Sequence, residues 1–482
     1  MLKKLLLLCF FLFCFNQQQA QTVYSRKQLV EDLKTFKDLL VHTNPVLTKH
    51  ESDSLDQALS KAVKSFPADG ATAFEFVDYI KASKIKTGYD DHAGVFLGEQ
   101  VFPVSEVYFP FPVYMIDDQL LVNTENARIP FGSMILSING IRTADIVHKL
   151  AGYGDRNNFR RYKLSPVFPY VFFKEYGAQH TFTIIYKDRI NNLNETTVAC
   201  AATGLNAIKE AAGSAVFPLN RDHFQGPLKI HTQYFPDSKT YYLQLNSFGN
   251  AYQDTYEQTA LLLDSVFKDI RLKDARDLIL DIRGNGGGMM SIPGLLFSYL
   301  TDSVIYEAHY QKMLPVKNIP LDQLKQIDQV STSSKIDAKK RMYRLYDGFV
   351  TKSGVSEKTI RFRRMPSPYR FSGKACLLVN GGTFSAATYF AALFKAYKRG
   401  PVIGSTAGGS IKGITAGHTL LYELPNTKIQ VLLPAMYITF DESLYHKINE
   451  DYIAPDTKIS FELEYPYFLK KLDWGINIKT TQ

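Results

Sequence analysis

Two segments of the chain share one layout that few folds provide: a short apolar strand, a glycine-rich turn and then a helix. Residues 278–288 read LILDIRGNGGG, and residues 379–388 read VNGGTFSAAT. Strands that are apolar throughout are typical of a sheet buried on both faces. Because strands and helices alternate over residues 225–475, we predict an α/β core there. A charged, irregular stretch with helical pieces at residues 306–370 predicts a lid-like insertion.

The region before this core divides into two parts. Residues 21–95 carry apolar side chains at helical spacing, including Leu29 and Leu33, which predicts an N-terminal helical domain. Residues 96–205 change to short strands, and residues 134–140 read MILSING, a buried strand that ends in an Asn-Gly turn. With a short helix after it, this part resembles a PDZ-like β module, which binds extended peptides at a sheet edge. Another small β-barrel is the alternative.

The N-terminus predicts export. Two lysines open the chain, and an apolar run over residues 5–15 precedes a polar stretch that ends near Ala20. Such a run spans about 16 Å as a helix, against about 30 Å of hydrocarbon core. We therefore expect residues 1–20 to be a signal peptide, and the protein to be periplasmic or secreted without a stable membrane span. Lipid attachment at a cysteine in the run is the alternative.

Composition excludes several classes of protein. Apolar residues make up 45% and charged residues 21% of the 482 positions, which is typical of a folded chain and not of a disordered one. The net charge of +9 comes from 56 basic and 47 acidic side chains. No run concentrates the basic residues as a nucleic-acid binder does, so we expect no nucleic-acid partner.

The first glycine-rich turn favours an oxyanion site. Glycines at 284–288 let backbone N–H groups approach a ligand oxygen at a helix N-terminus, which favours negative charge. No Lys-Ser or Lys-Thr pair follows them, so the turn is not a phosphate loop. A plain strand–helix turn is the structural alternative.

Ser385, in the second turn, is the candidate nucleophile. It stands in the first turn of the next predicted helix, whose dipole favours the alkoxide formed during attack. The alternative is that Ser385 or Thr383 only caps that helix. A serine needs a base, and among ten histidines His92 is the one in a polar, glycine-flanked turn. Only the fold could bring the two residues together, as in other triads.

Taken together, these segments resemble a known family, the tail-specific (carboxyl-terminal processing) serine proteases. The segments that carry the likeness are 278–288, 379–385, 403–409 and 453–456. The resemblance runs through the whole mature chain and implies a multidomain α/β protein whose peptidase core is related in fold to crotonases. On this resemblance, Ser385 falls on the nucleophile, and the N–H groups of Gly286, Gly287 and Ala386 fall on the oxyanion hole.

The resemblance also indicates how the serine is activated. One branch of the family uses a lysine after the next strand, but here Ser410 stands at that position, with Lys412 two residues beyond. The tricorn-type branch uses a histidine from the end of the helical part, together with a late glutamate. Asp90-Asp91-His92 matches that histidine segment, so the sequence resembles the tricorn-type branch with His92 as general base.

The late acid is where the sequence departs from the family. A gapless match puts Asn449 at its position, and Glu450 and Asp451 follow. We predict that the Glu450 carboxylate contacts the His92 ring. Asn449, Asp451 and Asp91 remain alternatives for the third catalytic residue.

The sequence as a whole predicts an exported serine peptidase that acts on a peptide or protein substrate, with no cofactor and no metal. Its predicted catalytic residues are Ser385, His92 and Glu450. The alternative is a non-catalytic peptide- or ligand-binding relative that keeps the peptidase fold.

Overall fold

The chain folds into two compact units. The computed structural model describes residues 22–47, 49–82, 90–96, 107–125, 127–151, 158–200, 228–249, 255–352 and 354–458. The first unit takes the described residues of Met1–Val101, Lys312–Glu357 and Thr415–Tyr437, and the second takes those of Phe102–Gln311, Lys358–Ile414 and Ile438–Gln482. The predicted signal peptide lies outside the described residues. No helix within them is long and apolar enough to cross a bilayer.

Helices and strands are as follows. The α-helices of the described ranges are α1 Arg26–Thr43, α2 Lys49–Ser65, α3 Ala73–Ala82, α4 Thr143–Ala151, α5 Asn158–Leu164, α6 Phe168–Tyr176, α7 Tyr256–Leu272, α8 Ile292–Ser298, α9 Lys335–Leu345, α10 Ala386–Ala396 and α11 Glu442–Ile448. The strands are β1 Val23–Tyr24, β2 Ala71–Thr72, β3 Gly94–Phe96, β4 Val113–Ile116, β5 Gln119–Val122, β6 Met134–Ile138, β7 Ile141–Arg142, β8 Thr181–Lys187, β9 Leu193–Ala199, β10 Ile230–Phe235, β11 Thr240–Leu245, β12 Asp277–Asp281, β13 Ile305–Met313, β14 Leu324–Ile327, β15 Val330–Ser331, β16 Val350–Lys352, β17 Val355–Arg364, β18 Lys374–Val379, β19 Val402–Gly404, β20 Ile414–Glu423, β21 Gln430–Phe440 and β22 Thr457–Lys458.

The first unit begins with the predicted helical part. The apolar face of α1 is buried, with Leu29 and Leu33 at most 2% exposed. Ser25 and Gln28 form a capping box that satisfies backbone N–H groups where α1 begins. After the helices, β3 pairs antiparallel with β21, so that Val95 lies opposite Val431. This pairing fixes the turn that carries His92.

The second unit contains a small β module and the main sheet. The module has strand order β4-β5-β6-β8-β9, with β7 on β6, and its core is rich in phenylalanine, including Phe109, Phe172 and Phe182. The predicted Asn-Gly turn is present, with Asn139 at φ 50° and Gly140 at φ 77°. Both φ values suit an Asn-Gly hairpin turn.

The main sheet positions the candidate site. Its strand order is β10-β11-β12-β18-β19-β22, with β10 antiparallel and the other neighbours parallel. Residues 278–281 of β12 are all buried, as the continuous apolar pattern predicted. Asp281 lies opposite Leu378, so the turns that follow β12 and β18 leave the sheet side by side at its carboxyl edge. The mixed α/β prediction is confirmed.

The segment 306–370 contains helical pieces, as predicted, but it is less irregular than predicted because it also contains strands. It includes most of β13 and the whole of β14 to β17, together with helix α9 and a short 3-10 helix at Val316–Asn318. On β13, Glu307 and His309 are buried, whereas Tyr306 and Tyr310 are exposed. Because these two buried residues are polar and the exposed ones are aromatic, the alternation that identifies a strand was hidden in the sequence. Whether the segment acts as a lid stays a prediction.

Candidate active site

Ser385 has a strained backbone at the start of α10. Its φ is 55° and its ψ is −124°, a combination that is left to glycine in most turns. Ser385 is the N-cap residue of α10, yet its side chain makes no capping hydrogen bond. The Thr383 hydroxyl instead donates to the Ile282 carbonyl at 2.9 Å. The alternative that either residue serves as a helix cap is therefore not supported.

The surroundings of Ser385 single it out further. Residues 375–394 are all buried except Ser385, which is partly exposed. Along this stretch, which runs from strand β18 into helix α10, Ser385 is thus the one residue that is accessible to solvent. Strain of about 1–3 kcal/mol at a partly exposed polar residue is a common feature of functional sites.

Two buried asparagines join the glycine-rich turn to the serine turn. The Asn285 carbonyl accepts the Phe384 N–H at 3.0 Å. The Asn380 side-chain oxygen accepts the N–H groups of Gly284 at 2.8 Å and Gly382 at 2.9 Å. Both asparagines are fully buried, so water does not compete for these hydrogen bonds.

Gly287 lies directly against the serine. A Cβ atom at Gly287 would be 2.8 Å from the Ser385 Cβ and 2.9 Å from the Ala386 N, and the φ of Gly287 is 101°. Any larger residue would push the two turns apart. The structure therefore brings Ser385, Ala386 and Gly287 together, as the sequence predicted.

The three predicted oxyanion donors differ in their hydrogen bonds. The Gly287 N–H donates to the Asn285 side-chain oxygen at 2.9 Å. Among the described residues, no backbone carbonyl accepts the N–H of Gly286 or of Ala386. An oxyanion hole requires N–H groups that are available to donate to a developing negative charge.

His92 lies in the first unit, in a turn organised by Asp90. The Asp90 Oδ1 is 2.9 Å from the His92 Nδ1 and accepts the His92 backbone N–H at 3.0 Å. Asp90 in turn is held by Thr415, whose hydroxyl donates to Oδ1 at 2.6 Å and whose N–H donates to Oδ2 at 3.1 Å. The carboxylate at Nδ1 fixes the orientation of the imidazole ring.

The charge of Asp90 is favoured by its partners. Burial raises the pKa of its carboxyl, but the charge of His92 and the hydrogen bonds from His92 and Thr415 outweigh burial, and the net pKa is below its ordinary value. Asp90 therefore remains a carboxylate across the neutral range and can stabilise an imidazolium.

Glu450, the predicted partner of the histidine, has other contacts in the second unit. Its carboxylate accepts two hydrogen bonds from the Lys395 ammonium, at 2.9 and 3.0 Å, and one from the Ala454 N–H at 3.1 Å. Lys395 is near the end of α10, so this ion pair fastens the 449–454 loop to the helix that begins after Ser385. A catalytic role for Glu450 stays a prediction, because the carboxylate seen at Nδ1 of His92 is that of Asp90.

The lysine alternative is less suited to act as a base. The Lys412 ammonium pairs with the Asp451 carboxylate at 2.8 Å, and its side chain is 54% exposed. The hydrogen bond to Asp451, followed by that to Tyr445, raises the pKa of Lys412 above its ordinary value. A lysine whose cationic form is favoured is a poor proton acceptor near neutral pH.

Asn449 ends helix α11 in a left-handed conformation, with φ 54°.

Sequence reasoning missed Asp90, Asn285 and Asn380. Asp90 could have been found, because an Asp two residues before a His commonly accepts that residue's N–H in a tight turn. The two asparagines had no such local signal, since their partners lie on other strands.

Comparisons with known proteins agree on the fold. The family model of peptidase family S41 matches residues 239–459. No curated protein matches the chain in sequence. The structure of mature CPAF complexed with lactacystin is similar to this chain, with a TM-score of 0.54 and 16% identity over 90% of this chain and 94% of that one. A structure of mature CPAF aligns with a TM-score of 0.54 and 15% identity, over 90% and 93%.

Proposed function

We propose, from the match of residues 239–459 to peptidase family S41, that the chain is a serine-type peptidase with Ser385 as its nucleophile and His92 as its general base. The substrate is a peptide or protein. The Ser385 oxygen attacks the carbonyl carbon of the scissile bond while the His92 Nε2 takes its proton. The same proton passes to the leaving amine, and water then releases the acyl group through the reverse sequence.

The observation that carries this proposal is the backbone of Ser385. Ser385 has a φ of 55°, its side chain makes no capping bond, and it is the one partly exposed residue between positions 375 and 394. A role as a helix cap does not explain this conformation, whereas a role as a nucleophile does. Within the part of the chain that the structure describes, the N–H groups of Gly286 and Ala386 meet no backbone acceptor, and they are proposed to bind the oxyanion. Gly287 is proposed to keep the two turns in contact.

The base is proposed from the His92 turn. Asp90 fixes the ring through Nδ1 and carries the charge that stabilises the imidazolium formed during attack. Lys412 is disfavoured because its ion pair with Asp451 stabilises the cation. The proposal requires the His92 Nε2 to come within hydrogen-bond reach of the Ser385 hydroxyl in the working enzyme.

Labelling with a fluorophosphonate tests the nucleophile, because only an activated serine reacts with that probe. Wild-type protein should be labelled and should cleave an unstructured protein such as casein. Ser385→Ala should lose both properties and keep the melting temperature within about 1 °C, because no capping bond is lost. Labelling that persists in Ser385→Ala would place the reactive serine elsewhere.

The base is tested by two further variants. His92→Ala should lose labelling and turnover, whereas Lys412→Ala should keep both, since its contacts are at the surface. A wild-type protein that folds but neither labels nor cleaves would favour the alternative of a non-catalytic peptide-binding relative.

We also propose export by the N-terminal segment. N-terminal sequencing of the exported protein should give a sequence that begins shortly after Ala20.

A further inference from the structure

Helix α5, which belongs to the β module, packs into the turns around Ser385. Four glycines from three turns face this helix. A Cβ at Gly381 would lie 2.6 Å from the Asn158 carbonyl oxygen, and one at Gly382 would lie 2.7 Å from the Tyr162 ring. A Cβ at Gly284 would lie 2.8 Å from the Tyr162 hydroxyl, and one at Gly408 would meet the Cβ of Phe159. Three residues of α5 therefore lie against all four glycines, and the neighbouring turns also approach Gly382 and Gly408.

Glycine is needed at these positions because there is little room for a Cβ atom, more than because of the backbone conformation. Only Gly284 has a left-handed φ, of 72°, whereas Gly381, Gly382 and Gly408 have backbone conformations that any residue adopts. The need for glycine at those three positions therefore comes from close packing, by α5 at all three and by the neighbouring turns at Gly382 and Gly408.

The closest link runs to the residue before the nucleophile. The rings of Phe159 and Phe384 stack with their centroids 3.9 Å apart and their planes 10° from parallel. The two side chains are at most 1% exposed. The backbone N–H of Phe384 is held by Asn285, so ring and backbone are both fixed immediately before Ser385.

Helix α5 is itself anchored in the module. The Arg161 Nε donates to the Asp117 carbonyl at 2.6 Å, and the Tyr162 ring packs edge-on against Tyr114 at 6.4 Å. The Asn158 amide donates to the Thr406 carbonyl at 3.4 Å, in the turn that also holds Gly408. The helix thus connects the module to each of the three turns.

We propose that Phe159 and Tyr162 are positioning residues of the peptidase: Phe159 holds Phe384 and Tyr162 holds the turns at Gly284 and Gly382, which together keep the strained backbone of Ser385 in the reactive conformation. This inference rests on the proposed function of Ser385. The stack on Phe384 is the contact through which Phe159 is proposed to act on Ser385. The module accordingly contributes directly to the geometry of the nucleophile, in addition to any part in binding substrate.

The test uses Phe159→Leu in the full chain, with Phe182→Leu as the matched control. Both replace a phenylalanine of the module that is at most 2% exposed, but Phe182 packs inside the module core, away from the turns. We expect Phe159→Leu to lower kcat by about 10- to 100-fold with KM within about twofold, because small displacements of a reacting group are costly. The rate of fluorophosphonate labelling should fall in parallel. Phe182→Leu should keep the wild-type kcat while losing similar stability.

Phe384→Leu and the double variant test the route of the effect. If the stack carries it, Phe159→Leu combined with Phe384→Leu should lose little more activity than either single variant, because interacting residues are not additive. Fully multiplicative losses would overturn the proposal, as would equal kcat values in Phe159→Leu and Phe182→Leu.

A crystallographic readout separates this proposal from the proposed function. In Phe159→Leu the φ of Ser385 should leave its positive value or the 381–385 turn should shift, whereas Phe182→Leu should keep the wild-type turn. An unchanged turn in Phe159→Leu would overturn the positioning proposal even if the wild type is active. A wild type without activity would instead refute the role of Ser385, and the crystal structures would still decide whether α5 sets its backbone.

Discussion

At the scale of single residues, the strain at Ser385 makes a prediction about stability. Glycine adopts a φ of 55° without strain, so Ser385→Gly removes a cost of about 1–3 kcal/mol, against about 0.5–1 kcal/mol for the added freedom of the unfolded chain. We expect Ser385→Gly to be inactive and to unfold at a free energy about 1 kcal/mol higher than wild type. Chemical denaturation measures it, and the equally inactive Ser385→Ala, which keeps the strain, is the control. A Ser385→Gly less stable than Ser385→Ala would contradict this.

Asp90 makes a second prediction at this scale. Asp90→Asn keeps a similar shape but removes the charge that stabilises the imidazolium of His92, so kcat should fall by about 10²- to 10⁴-fold. The ionisation step in the profile of kcat/KM against pH should move to lower pH, because a negative neighbour is lost. Thr415→Val, which loses a hydroxyl contact to Asp90 but no charge, should have a much smaller effect.

The competing assignment is tested in the same assay. Glu450→Gln should loosen the contact with Lys395 and lower stability, with a smaller effect on kcat than Asp90→Asn. If Glu450→Gln shifts the profile and Asp90→Asn does not, the partner of the base is Glu450, as the sequence suggested. A large effect of Asn449→Ala alone would identify the amide as the orienting group.

At the scale of elements, helix α8 tolerates only glycine at one position. A Cβ at Gly294 would collide with the Glu307 carboxylate, which is buried and pairs with Arg364 at 3.0 Å. Alanine favours a helix over glycine by about 1 kcal/mol, but disrupting a buried ion pair costs about 3–5 kcal/mol. We expect Gly294→Ala to lower the free energy of unfolding by about 2–4 kcal/mol, measured by urea denaturation.

A shorter acid provides the control for this prediction. Glu307→Asp retracts the carboxylate by one methylene group, so the double variant with Gly294→Ala should be more stable than Gly294→Ala alone. If the double variant is the less stable of the two, the collision with Glu307 is not the cause.

Helices and strands were predictable where local signals, such as capping residues and turn residues, agreed with the pattern of buried apolar residues. Thr255 and Gln258 form a capping box at the start of α7, which spans Tyr256–Leu272 in the predicted α/β core. Strand β12 and the turn after β6 were found for the same reason. Strand β13 was missed because two of its buried residues, Glu307 and His309, are polar. Glu450 was predicted as the partner of the histidine from the family pattern, whereas the contact between Asp90 and His92 arises within a local turn.

At the scale of the whole molecule, the buried His309 makes stability depend on pH. Burial, and then the charge of Arg364, lower the pKa of His309 to about 4. The unfolded chain binds this proton near its ordinary pKa of about 6.5, so between about pH 6.5 and pH 4 the unfolded state holds more protons and stability falls as the pH falls. This contribution amounts to about 3 kcal/mol in total. Glu307, whose pKa is raised by burial, acts in the opposite sense.

The variant His309→Phe isolates that contribution. Its aromatic ring can keep the contacts with Tyr389 and Phe440, but it has no proton to bind. The difference in unfolding free energy between wild type and variant should change by about 3 kcal/mol between pH 7 and pH 4, with the wild type losing more. Parallel curves over that range would contradict the assignment.

The order of the main sheet has a consequence for how the chain matures. Asp277 of β12 lies opposite Lys374 of β18, and all of β13 to β17 lies between them in sequence. Pairings between such distant segments require a large loop to close and tend to form late in folding. Until β18 joins β12, Ser385 has no glycine turn beside it. If Ser385 is the nucleophile, as proposed, an incompletely folded chain carries it in an inert form, and reactivity is acquired only with the last long-range contacts of the sheet.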